Sequence, residues 1–141
     1  MYNRIDRFCN CSKTFSALRE EMTTVLYIFL GGGLGSIARY GIGYLSKQWF
    51  DTNFPLGTFI SNILACMILA LVTLAITSKS LQADWIRPLL LVGFCGGFST
   101  FSTFGYETVS LMQQNNIALA FLNVLISISV GFSLIYWVLT K

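Results

Sequence analysis

Four long apolar runs divide the chain, roughly 24–46, 56–77, 86–112 and 117–140. Each is near or above the ~20 residues a helix needs to cross a bilayer. Short polar segments separate them, and Pro55 and Pro88 open the second and third runs, where the first turn of a helix tolerates proline. The pattern predicts an all-α integral membrane domain over residues 22–141. The third run departs from a plain anchor. It carries Gly93-Phe-Cys-Gly-Gly-Phe-Ser-Thr-Phe-Ser-Thr-Phe-Gly105, which puts glycines, hydroxyls and phenylalanines in the middle of an apolar segment. Backbone that leaves a helix at that depth must line a cavity or be buried in protein. A break is predicted at Gly96-Gly97. Past it the residues repeat in threes, and a step of three turns a helix by about 300°, so Phe101 and Phe104 are neighbours with hydroxyls winding beside them.

The other runs carry a few polar positions each. Gly31 and Gly35 form a G-x-x-x-G, which allows close backbone approach. Arg39, within the same run, must snorkel to the interface, find a carboxylate or face water, and at a pore mouth it would attract anions. In the second run Thr58, Asn62 and Cys66 share a face; Asn62 is either helix–helix glue or a donor to an anion that has shed its water. The fourth run presents Asn123, Ser127 and Gly131 on one side. Glu107, near the end of the third run, is either an intramembrane carboxylate with a function or an interfacial one.

Composition narrows the function. The chain is 55% hydrophobic and 11% charged, with no histidine. Cys9, Cys11, Cys66 and Cys95 form no C-x-x-C pair, so neither a zinc site nor a disulfide framework is indicated. Without histidine or a carboxylate pair inside a span, most routes to acid–base or nucleophilic catalysis are missing, and the chain reads as a non-enzyme. A net charge of +3, scattered along the sequence, gives no nucleic-acid footprint. Trp49, Trp85, Tyr106 and Trp137 fall near run ends, as interfacial belts require.

Residues 1–21 form a polar extension without the apolar core of a signal peptide. It is read as a disordered tail or a stretch upstream of a true start at Met22. Counted from Met22, one side of the membrane carries Lys79, Arg87 and Lys141 and the other Lys47 and Arg39. This is a weak positive-inside bias, compatible with insertion both ways.

Three segments together resemble the Fluc/CrcB fluoride channels: Gly31-Gly-Gly-Leu-Gly-Ser-Ile-Ala-Arg39-Tyr, Pro55-Leu-Gly-Thr-Phe-Ile-Ser-Asn62 and the Gly93–Phe104 stretch. The resemblance covers the chain from about Met22 to its end. It implies four helices per subunit, the third broken, and an antiparallel dual-topology homodimer in the cell's inner (plasma) membrane. Two pores would be built by both subunits, with a structural sodium ion on the two-fold axis. It also implies passive fluoride export that lowers cytoplasmic fluoride. By motif position, Phe101 and Phe104 flank the fluoride path, Asn62 donates to the ion, and Ser102, Thr103, Thr58 and Ser127 supply hydroxyls along it. Arg39 would stand at the vestibule, and the backbone carbonyls of Gly96 and Ser99 would hold sodium. Ser99-Thr100 stands where the family often has two threonines, and Asn123 stands where it commonly has tyrosine. Two other readings of the residues are a small proton-coupled cation exporter using Glu107 and a membrane assembly subunit that transports nothing.

Overall fold

The computed structural model describes residues 2–140, with side chains from Leu18 onward. The reading of residues 1–21 as a separate extension therefore lies almost entirely outside the described side chains. In chain order the elements are α1 (Tyr2–Trp49), α2 (Leu56–Thr77), a π-helical segment (Arg87–Cys95) that runs into α3 (Gly96–Phe98), α4 (Phe101–Gln113) and α5 (Ile117–Leu139). No strand occurs among the described residues. Four stretches are long and apolar enough to cross a membrane: Leu18–Trp49, Leu56–Thr77, Arg87–Gln113 and Ile117–Leu139. The chain is thus a multi-pass membrane protein, and the spans fall where the apolar runs predict them.

Two helix pairs make up the packing. α1 lies along the first half of the third span, and α2 lies along α5. Glycine makes the first pair close. A Cβ on Gly31 or Gly35 would collide with the carbonyl of Leu89 or Phe94, and one on Gly97 would collide with the carbonyl of Gly32. The predicted G-x-x-x-G thus meets a second one, Gly93 and Gly97, on the facing helix. The other pair uses alanine and glycine: Ala65, Ala70 and Ala120 are buried, and Gly131 faces Cys66. Small residues serve such contacts because lipid gives large side chains no reason to withdraw from it. Phe29, Ile37, Phe121 and Phe132 accordingly remain outward and exposed.

The break in the third span is displaced from its predicted place. Gly96 is helical (φ −64°, ψ −39°), and the chain turns extended at Ser99 (φ −79°, ψ 157°) and Thr100 (φ −152°, ψ 118°). Gly97 is occupied in helix packing against α1, where its lack of a side chain serves proximity, while Gly96 is exposed and open; the interruption falls two residues after Gly97.

Candidate functional site

The break is held by a side chain 38 residues upstream. Asn62 on α2 accepts the Thr100 N–H at Oδ1 (2.7 Å) and donates from Nδ2 to the Thr100 carbonyl (3.3 Å). In an unbroken helix that N–H would close onto the carbonyl of Gly96. Thr100 in turn caps α4, its Oγ1 accepting the Thr103 N–H (3.2 Å) that would otherwise close onto Ser99. These two substitutions deprive the Gly96 and Ser99 carbonyls of their helical partners. The capping hydroxyl also donates to Thr103 Oγ1 (3.1 Å) and lies 3.3 Å from Ser102 Oγ, so three hydroxyls cluster at the start of α4.

Phe101 and Phe104 follow at once, with ring centroids 6.1 Å apart and planes inclined by 40°. Phe104 is half-buried, whereas Phe101 is 86% exposed on the single protomer. A cavity of about 660 Å³ opens beside them between α1, α2 and α4. Its walls carry Arg39, Lys47, Thr58, Thr100, Thr103 and Glu107. Arg39 thus lines a hollow open to the outside of the chain. Glu107 shares this wall with Thr58 and Lys47, and its Oε2 is buried with no hydrogen-bond partner among the described residues. The wall thus combines two cations, a carboxylate and threonine hydroxyls, and Thr100 on it is followed in the chain by the phenylalanine-bearing turn of α4.

The fourth span contributes differently from expectation. Ser127 is absent from the cavity wall. Its hydroxyl donates to Asn123 Oδ1 (3.5 Å), Asn123 Nδ2 donates to Thr108 Oγ1 (2.9 Å), and Thr108 donates to the Phe104 carbonyl (2.8 Å). Of the sequence-predicted residues, Arg39, Thr58 and Thr103 meet in the cavity; Asn62, Ser102 and the Gly96 and Ser99 carbonyls surround the break; Phe101 and Phe104 lie just beyond it. Sequence reading missed Thr100, the residue that both clamps the break and caps the helix. The signal was present, since a hydroxyl residue directly before a helical run is the usual N-cap.

Four membrane-length spans, with a cavity between α1, α2 and α4 that reaches the interruption at Thr100, define a small multi-pass membrane protein. The chain belongs to the CrcB family, whose description reads CrcB-like protein, Camphor Resistance (CrcB), and which matches residues 26–139. Similar proteins named fluoride-specific ion channel FluC occur in Flavobacterium psychrophilum (37% identical over 110 residues, 78% of this chain and 89% of the relative). Others come from Gloeothece citriformis (43% over 112 residues, 79% and 90%) and Pyrococcus abyssi (42% over 117 residues, 82% and 93%).

Proposed function

We propose that this protein is a fluoride-selective channel that lets fluoride leave the cell passively, working as an antiparallel dual-topology homodimer in the inner (plasma) membrane. The observation that carries the reading is the break clamped by Asn62, with Thr100 on the wall of a cavity that also carries Arg39, Lys47, Thr58 and Thr103, followed directly in the chain by the Phe101–Phe104 pair. Arg39 and Lys47 draw the anion into the mouth. Thr58, Thr103 and Ser102 then offer hydroxyl donors in exchange for its water. Asn62 has one N–H engaged with Thr100, which leaves the other free to donate to the ion. Beyond them the positive edges of the phenylalanine rings attract the anion without a full charge, so that binding stays weak enough for release. The 86% exposure of Phe101 on one protomer supports a partner copy that completes the path.

A sodium ion at the dimer axis fits the donors present. The Gly96 and Ser99 carbonyls have lost their helical partners to Asn62 and Thr100, and neutral backbone oxygens suit a hard monovalent cation. When bound, sodium supplies a fixed positive charge that ties the two breaks together.

The test is fluoride efflux from liposomes holding the purified protein, read with a fluoride electrode beside a matched chloride experiment. Rapid fluoride loss with chloride retained is the expected result; no flux from folded dimer overturns the reading and returns the assembly-subunit alternative. The buried, unpartnered Oε2 of Glu107 favours one other reading, a proton-coupled cation exporter. That reading requires cation flux driven by an imposed pH gradient and abolished by Glu107→Gln; the channel requires no such drive.

A further inference from the structure

Asn123 is 1% exposed and, with Ser61, is one of the two largest fully buried side chains among the described residues. A buried carboxamide is costly unless bonded, and an apolar residue would fill the space at less cost. Here its bonds run in one direction, from Ser127 through Asn123 and Thr108 to the carbonyl of Phe104. Thr108, itself 6% exposed, stands one turn after Phe104 on the same side of α4. α4 begins at extended backbone, so its rotation about its own axis is not inherited from α3. It packs mainly on α5 and only sparsely on α2. The Asn123–Thr108 bond ties α4 to α5 side chain to side chain.

We propose that Asn123 is a positioning residue for fluoride passage: through Thr108 it fixes the rotational setting of α4 and with it the Phe104 ring. The proposal rests on the fluoride-channel reading. A bond that merely glued helices together would affect stability; this one also sets where an aromatic edge meets the ion.

The experiment uses the full chain in liposomes, with Asn123→Leu, Thr108→Val, the double variant and Thr108→Ser. Each single loss of the bond is expected to slow fluoride efflux about tenfold, and the double variant to be no slower than either, since one interaction is removed in all three. Thr108→Ser keeps the hydroxyl and is expected to restore the wild-type rate. In parallel, 4-fluorophenylalanine is placed at position 104 and its fluorine NMR shift is read in folded dimer. Asn123→Leu and Thr108→Val are expected to move it alike, and Thr108→Ser to leave it in place. Multiplying losses in the double variant, or an unmoved shift with undiminished flux, overturns the proposal. Thr108→Val is nearly isosteric, so it decides the matter if Asn123→Leu does not fold. Absence of flux from the wild-type chain would instead strike at the channel reading, and the NMR shift would still report on the positioning.

Discussion

Replacing Asn62 with leucine removes both partners of Thr100 at a residue only 8% exposed. Leucine matches asparagine in bulk, so the perturbation is the loss of two hydrogen bonds. Interhelical hydrogen bonds in bilayers average about 0.6 kcal/mol, which would put two of them near 1 kcal/mol. Leaving a buried backbone group unsatisfied costs about 1–3 kcal/mol, which puts two of them at about 2–6 kcal/mol. The second figure applies while the break stays open and Thr100 keeps its extended backbone. The chain has one escape: the Thr100 N–H can return to the Gly96 carbonyl and lengthen α3 by a turn. That recovers one bond and withdraws the carbonyl proposed to hold sodium. Asn62→Leu is therefore expected to cost about 2–3 kcal/mol in denaturation of the purified protein, and to stop fluoride efflux from liposomes. Amide exchange at Thr100 would separate the two states, fast if the break stays open and slow if the helix closes. Stability within about 0.5 kcal/mol of wild type together with normal flux would refute the clamp.

Phe101→Ile and Phe104→Ile should each fold and each reduce fluoride efflux strongly, because isoleucine keeps bulk but has no quadrupole; normal flux from either would count against ring-edge contact with the ion. Gly97→Ala places a methyl against the Gly32 carbonyl, where only backbone is available to yield. A loss of about 1–3 kcal/mol is expected, checked by thermal unfolding in detergent. Exchanging sodium for N-methyl-D-glucamine should lower the unfolding temperature of the dimer and slow efflux, both restored by returning sodium; indifference to the exchange would remove the proposed sodium site.

Hydropathy located all four spans, because membrane crossing is a matter of length and apolarity that any window of sequence carries. The phenylalanine and hydroxyl triplets drew attention to the candidate site, since nothing about packing in lipid calls for them. The position of the break was less legible. Gly96-Gly97 looks like flexible backbone from within its own segment, yet both are helical and Gly97 is pressed against α1. The interruption comes from Asn62, a contact across 38 residues that no local pattern encodes. Asn123 stood out in the sequence as a departure from the family pattern. Its bond to Thr108 became visible only once α4 and α5 were side by side.

The crossing of α1 with the third span has a consequence for how this protein tolerates change. Where two side chains meet, a larger one on one helix can be answered by a smaller one opposite. At Gly31, Gly35, Gly93 and Gly97 an added side chain would meet backbone of the facing helix, which no substitution removes. No facing residue is left to shrink, so a lesion there has no local suppressor, and revertants selected for restored function should regain the glycine itself.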